Sequence, residues 1–398
     1  MKKYAHIIAG CGAAGLSLAY HLSNVGFPGG SILLIDNNNN NTESNDHSWG
    51  YWSRSPQPFD SIAKRTYKKI ALNAPGKQIV FDLNRYSYRV IESATFYSFI
   101  KNHLSKFKEV EWLKADVNTF REEDNKGIID TSEGSFEADY IFSSLYNETE
   151  IKERSRMFIK QHFKGWTIET TSDTFNPEVA TLFDFTIPQE NQFRYFYIVP
   201  ESTTKALIEF IVLSDNPLAE PAYETMLKEY IQKTLKISSY KIIDEEWGNI
   251  PMTDHYFPTR KGDRIINIGI AGGTIKASSG FAFKRIQRHT MQLAQLLKDQ
   301  WPPYIDANSG PRFRFYDQVL LNIVMRNGGS GVKIYSELFA KNGPEKIFKF
   351  LDEDTMLNEE LKIISSLPSF PFLRSMVTLA GKEVNPLSMM KTVITNKV

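Results

Sequence analysis

The chain lacks most of what would fix a protein from outside its own core. It has one cysteine, Cys11, in 398 residues. That excludes an intramolecular disulfide and any thiolate-rich metal site. It has no charge excess: 47 Lys and Arg stand against 46 Asp and Glu, for a formal net charge of +1. Nucleic-acid binders carry a basic surplus that is missing here. There is no uncharged apolar run of about 18 residues, so no helix is expected to span a bilayer. Met-Lys-Lys opens the chain, but no small-residue cleavage site follows its apolar stretch, which reads as a strand and not as a signal peptide. No His-Glu-x-x-His or comparable spacing occurs, so no metal is expected. What remains has the length of one large α/β unit or two intertwined domains. Apolar residues at 41% and charged residues at 23% are ordinary for a globular chain. Aromatic residues, at 13% with 27 Phe and 18 Tyr, are slightly plentiful.

Tyr4 to Ala9 is a short β-compatible run. It leads into Gly10-Cys11-Gly12-Ala13-Ala14-Gly15, after which Leu16, Leu18, Ala19 and Leu22 recur at helical spacing. Ser31 to Asp36 is a second apolar run, ending in an acid. The order is strand, glycine turn, helix, strand, acid. Gly10 permits a tight turn, Gly12 lets backbone N–H groups approach a pyrophosphate, and Gly15 lets helix and strand pack closely. The helix N-terminus adds orphan N–H donors and partial positive charge. Asp36 lies about 20 positions beyond Gly15, where an acid accepts ribose hydroxyls. The motif alone leaves FAD and NAD open. Its place at the start of a chain this long is more typical of flavoproteins.

Five asparagines, Asn37 to Asn41, form a low-complexity loop with no assigned chemistry. Phe158–Thr171, Ala180–Ile187, Phe193–Val199 and Ala206–Leu213 are aromatic and β-branched runs separated by turns, the pattern of an antiparallel sheet. Glu245 and Glu246 precede a Gly-Asn-Ile-Pro stretch that reads as a turn; either one of these acids faces the site, or both have a solvated or capping role. Arg264 to Ala271 reads as a strand, followed by Gly272-Gly273 and a helix from about Gly280. Residues from Pro311 onward are mostly helical. The expected fold class is α/β: a Rossmann-like FAD-binding flavoprotein fold with an inserted antiparallel β-sheet substrate domain and a helical C-terminal region. The expected division is 1–150 with 255–300 for FAD, 151–254 for substrate, and 301–398 as the helical part.

Several blocks, in this order and spacing, resemble the flavin-dependent lycopene cyclase family of carotenoid biosynthesis, of the β-cyclase type. They are the glycine motif with Asp36; Asp46-His47-Ser48-Trp49 with Trp52; Gln161-His162-Phe163-Lys164-Gly165-Trp166; Phe196-Tyr197-Ile198-Val199-Pro200; Ala206-Leu207-Ile208-Glu209; Glu246-Trp247-Gly248-Asn249-Ile250-Pro251-Met252; and Gly272-Gly273 through Phe281. The similarity runs from Met1 to about Leu297. Three departures stand out: Phe210 where the family usually has a second acid, Ala277 for a frequent proline, and Ser48 for threonine. The resemblance implies redox-neutral cyclisation of lycopene ends to β-rings. A terminal double bond is protonated, the cation is attacked by a neighbouring double bond, and a ring proton is lost. It further implies FAD, active when reduced, with NADPH as reductant. The cofactor contacts it implies are Gly10, Gly12, Ala13, Ala14, Gly15, Asp36, Gly272, Gly273, Lys276, Ser279 and Gly280. The alternatives are an FAD- and NAD(P)H-dependent hydroxylase or prenyl-chain reductase, and a nucleotide-binding carotenoid carrier without catalysis.

Protonating an alkene needs an acid held neutral until use, and burial among apolar groups does that. Glu209 is the candidate catalytic acid, because the Ala206–Leu213 run is otherwise apolar on both faces. The bland alternative is a carboxylate paired with Arg194 or Lys205. Asp184 reads as a hydrogen-bonded structural acid, and His47 and His162 as packed histidines. Trp49, Trp52, Trp166, Phe196 and Tyr197 are candidates to line a substrate tunnel and shield a cation, against the alternative of core packing. The carotenoid is membrane-dissolved, so a peripheral position on the cytoplasmic side of a membrane surface is expected. Ile363–Val377, followed by Leu387, Met389 and Met390, is the candidate contact segment, against the alternative of a packed C-terminal core helix pair.

Overall fold

The computed structural model describes residues 1–37 and 47–380. Asp46, Asn38–Asn41, Leu387, Met389 and Met390 lie outside them.

The first sheet runs in the order Val110–Lys114, Ile32–Asp36, Lys2–Ala9, Gly134–Ser143, Lys126–Thr131, Val117–Glu123. Its central pairings are parallel: Lys2–Ala9 lies between Ile32–Asp36 and Gly134–Ser143. Ile265–Asn267 adds a parallel strand beside the end of Gly134–Ser143. Parallel strands are buried on both faces and so read as unbroken apolar runs. Here Ile8, Leu34, Phe142 and Ile266 pack with the Ala13–Asn24, Ser93–Leu104 and Phe283–Lys298 helices. Their neighbours Ile7, Leu33, Ile35, Ile141 and Ile265 fill the other side.

The second sheet runs Tyr240–Thr253, Phe158–Thr170, Lys205–Ser214, Phe193–Pro200, Val179–Asp184, Lys69–Ala74, Lys77–Asp82. It is antiparallel except where Lys69–Ala74 joins Val179–Asp184. Two of its strands therefore come from residues 69–82, and the sheet is not drawn from 151–254 alone. The expected turn at Gly248–Pro251 is also absent. Those residues continue a strand that reaches Thr253, and Pro251 is tolerated because this is an edge strand.

Each strand of this sheet alternates between two faces. On one, Trp166, Phe196, Ile208 and Phe210 pack under Tyr223, Leu227, Tyr230 and Ile231 of the 220–234 helical segment. On the other, Phe163, Tyr195, Tyr197 and Ile211 join a cluster that takes in Tyr335, Leu338 and Phe339 of the C-terminal helices.

The expected helical tail is present as Pro311–Arg326, Gly328–Asn342, Pro344–Leu351, Leu357–Ser365 and Ser369–Ala380. The Ile363–Val377 segment is split between the last two. Among the described residues, no helix is long and apolar enough to cross a membrane.

Candidate active site

A cavity of about 660 Å³ lies between the two sheets. At one end it is walled by Gly10, Gly12, Ala13, Ala14 and Asp36, and at the other by Tyr88, Tyr195, Tyr197, Glu209 and Ile211.

The first end has the geometry of a dinucleotide cradle. Gly10 has φ +93°, a conformation that L side chains avoid. A Cβ at Gly15 would sit 2.0 Å from the Gly10 carbonyl oxygen, so Gly15 makes the close helix–strand contact and does not line the cavity. A Cβ at Gly12 would meet nothing within 4 Å, which leaves room for a ligand. Gly12 also caps the Ala13–Asn24 helix without a side-chain cap. Its first N–H groups are therefore free for phosphate. The Asp36 carboxylate accepts the Cys11 N–H at 2.7 Å, which holds it beside the turn. These residues fit the pyrophosphate and ribose of FAD.

The later glycine segment differs from expectation. Gly269 and Ile270 line the cavity, with Ser279 and Gly280, whereas Gly272 and Gly273 do not. Arg264–Ala271 is a strand only over Ile265–Asn267, and a 3-10 turn at Gly269–Gly272 follows. That turn brings Gly269 forward and tucks Gly272 against the Asn267 carbonyl. Lys276 is also a correction. Its amine is buried and bonded to Asp317 at 2.8 Å and Glu353 at 2.9 Å, so it ties this loop to the helical tail instead of reaching the cofactor cradle.

Among the five aromatic candidates, Trp49 and Tyr197 line the cavity. Trp49 stacks on Phe283, with centroids 5.2 Å apart. Trp52 does not line it: it stacks on Phe348 at 4.6 Å and fills core. Trp166 and Phe196 point to the opposite face of the sheet, where Phe196 stacks on Tyr230 at 3.6 Å. The cause is the two-residue period of the strands: Phe163 and Tyr197 line the cavity, so Trp166 and Phe196, an odd number of positions away on the same strands, face the other side. The same rule disposes of the departure at Phe210. An acid there would point under the 220–234 segment, away from Glu209.

Glu209 is buried, 6% exposed, in the cavity wall. Neither proposed counter-ion reaches it. Arg194 bonds Glu190 and the Pro188 carbonyl, and Lys205 pairs with Glu201. Its partner is another acid, Glu246. Gly165 stands opposite Glu209 on one side and opposite Glu246 on the other. A Cβ at Gly165 would come 2.7 Å from Glu209 Cγ and 3.1 Å from Glu246 Cγ. Glycine at this mid-strand position lets the two carboxyls meet across it, and they are hydrogen-bonded to each other.

Burial, then the nearby Glu246, raises Glu209 well above the usual carboxylate range. Burial also raises Glu246, to about 7, although its bonds with Glu209 and Ser48 hold it down. Two carboxyls this close in an apolar wall share a proton and titrate as a pair. Tyr197 lies opposite Glu209 on the next strand, and its hydroxyl is 2.8 Å from that of Tyr88.

Asp184 and His162 behave as packed groups, whereas His47 lines the cavity. Asp184 accepts from Asn73, Thr186 and Tyr230. His162 bonds Ser214 and Tyr223 on the covered face. Among the described residues, no cluster of His, Cys, Asp and Glu is arranged to hold a metal ion. Sequence reading left open whether one of Glu245 and Glu246 faces the site; the structure places Glu246 there and leaves Glu245 exposed. The available signal was the glycine inside an otherwise apolar strand, which marks a close approach.

The fold is shared with solved flavoproteins. The chain is similar to a flavoprotein/dehydrogenase from Cytophaga hutchinsonii, with TM-score 0.59 and 13% identity over 96% of this chain and 100% of that one. A geranylgeranyl bacteriochlorophyll reductase-like protein from Thermoplasma acidophilum aligns with TM-score 0.57 and 13% identity, covering 94% and 96%. A flavin-dependent brominase gives 0.56 and 12%, covering 96% and 100%. At these identities the likeness establishes the architecture: a Rossmann-like flavoprotein fold. No curated protein matches the sequence. The family is nevertheless clear: the chain belongs to the lycopene cyclase protein family, whose model matches residues 6–377. That match extends well past Leu297 into the helical tail.

Proposed function

We propose that the protein closes β-rings on the linear ends of lycopene, a redox-neutral isomerisation, with FAD in the cradle at Gly10–Ala14 and Asp36. One observation carries the reading beyond the family: a single aromatic cavity joins that cradle to a buried acid held neutral by burial and by a second acid. Protonated Glu209 donates to the terminal double bond. The cation then meets the faces of Tyr195, Tyr197 and Phe163, which stabilise positive charge without capturing it. The Glu209 carboxylate left behind takes the ring proton. When bound in reduced form, FAD supplies negative charge near the developing cation and no net electrons.

A flavoenzyme that hydroxylates or reduces its substrate consumes NAD(P)H in step with product. Here NADPH serves only to keep FAD reduced, so its consumption should not scale with product. The deciding experiment is expression in cells that accumulate lycopene, followed by chromatography. Mono- or bicyclic carotene is the expected result. Unchanged lycopene beside well-folded, FAD-loaded protein would sink the proposal. A carotenoid carrier would bind substrate and leave it linear with or without Glu209→Gln.

The substrate is dissolved in membrane, and the last described helix suits a peripheral approach from the cytoplasmic side. Phe372, Met376 and Leu379 pack inward, while Phe370, Leu373 and Val377 are exposed at helical spacing. Replacing Phe370 and Leu373 together by Glu should abolish flotation with liposomes while leaving the fold intact. Unaltered flotation would assign membrane contact elsewhere.

A further inference from the structure

Behind the acid pair lies a second, smaller cavity of about 100 Å³ that takes no part in the mechanism above. Its walls are polar where the first cavity is aromatic. Glu246 forms its inner end, and around it stand His47, Lys64, Arg65, Glu92, Glu201 and Asp244. Asp244 and Ala94, both exposed, mark where it meets solvent. Glu209 lines the first cavity and not the second; Glu246 lines the second and not the first. The pair therefore spans the wall between an apolar chamber and a wet one.

Resting on the proposed cyclisation, we infer that the second cavity is the proton inlet of the site, with Glu246 relaying protons between its water and Glu209 across Gly165.

Four observations support this. The cavity is large enough for water and lined by groups that bind it. One buried oxygen of Glu246, Oε1, has no hydrogen-bond partner among the described residues, an acceptor left for water. Ser48, which bonds Glu246, lines both cavities. The charges around Glu246 are also balanced to let it change state. Asp244 on its own strand raises its proton affinity, and Lys64 lowers it. Lys64 is itself bonded to Glu92 and, at 2.5 Å, to Glu201, so burial does not discharge it. Burial and Asp244 raise Glu246, while its bonds with Glu209 and Ser48 and the nearby Lys64 hold it down, to about 7. A proton taken up at Glu246 has Glu209 as its neighbour across Gly165.

The proton balance closes. Glu246 carboxylate takes a proton from the aqueous side. Its O–H bond breaks as that of Glu209 forms, and the Glu209 O–H breaks as the terminal alkene carbon gains a C–H bond. The ring proton then leaves to Glu209 and returns outward by the same route. One proton enters and one leaves per ring, with no oxidant or reductant.

The test reads the origin of that hydrogen. Cyclisation run in D₂O by the FAD-loaded protein should place one deuterium in each new ring. With Glu246→Gln, Glu209 must reuse the hydrogen recovered from substrate, so label per ring should fall by about half or more and turnover by roughly tenfold. Ala94→Trp, at the exposed rim, should lower the label in the same direction while touching neither carboxyl, and it decides the matter if the Gln variant fails to fold. Full label in the folded variants would overturn the inlet while leaving cyclisation standing. Absence of any cyclic product from the unaltered protein would overturn the cyclisation itself.

Discussion

Both faces of the second sheet are aromatic, and they do opposite things. Trp166, Phe196 and Phe210 lie under a helical segment that fills every gap, with Phe196 flat on Tyr230 at 3.6 Å. Glu209, Tyr195 and Tyr197 sit one residue away along the same strands and face open space. Composition does not separate the faces. The difference is how the covering element packs: the 220–234 segment closes over one face, the C-terminal helices leave a cavity over part of the other, and there a glycine leaves room for two acids to meet. A buried carboxyl is costly unless it is paired or neutral. The open face accepts that cost at one point, and its chemistry follows from it.

Four measurements would sharpen or break this contrast. Glu209→Gln should lower cyclisation by about a thousandfold, with FAD content and fold unchanged; residual turnover within tenfold of normal would mean another group donates the proton. Gly165→Ala comes next. Its Cβ would force the carboxyls apart, and a rate loss on the order of a hundredfold is expected from misplacement of the acid. A fully active variant would show that the pair has no catalytic consequence.

The third is stability against pH. The folded chain keeps the Glu246 proton up to about 7, while an unfolded glutamate releases it near ~4.3. Stability should therefore fall as pH rises between those values, by an amount on the order of 4 kcal/mol for this group, and Glu209, raised as well, adds a fall in the same direction. Glu246→Gln should flatten the curve, and denaturant titrations at several pH values would check it. The smallest effect on activity belongs to the covered face. Phe196→Leu should cost about 1–3 kcal/mol of stability and leave cyclisation within about twofold. A large activity loss at unchanged melting temperature would erase the distinction between the faces.

How far the sequence could be read follows the range of the interactions. The nucleotide cradle was legible because strand, glycines, helix and acid are contiguous: each glycine's role depends on neighbours within one turn. Glu209 was legible because its own strand is apolar around it. Glu246 was not, because its burial comes from pairing across Gly165, about 80 positions away in the chain but one strand away in space. Trp166 and Phe196 were misplaced for a related reason. An aromatic strand shows its two-residue period, but when both faces are apolar the period does not say which one is open. Lys276 shows the same limit: the resemblance suggested a cofactor contact, and Asp317 of one distant helix and Glu353 of the turn after another claimed its amine.

With one cysteine and no charge surplus, the chain is held by its own core, and its aromatic residues supply much of that core. By itself the sequence determined the elements, the dinucleotide turn and one acid, since these rest on local spacing and on the company each residue keeps along the chain. Only the tertiary structure decided which face of the sheet stays open, which acid joins Glu209, and which side of that pair meets water. Those depend on strand register and on what packs over each face, and both are set by contacts between residues far apart in sequence.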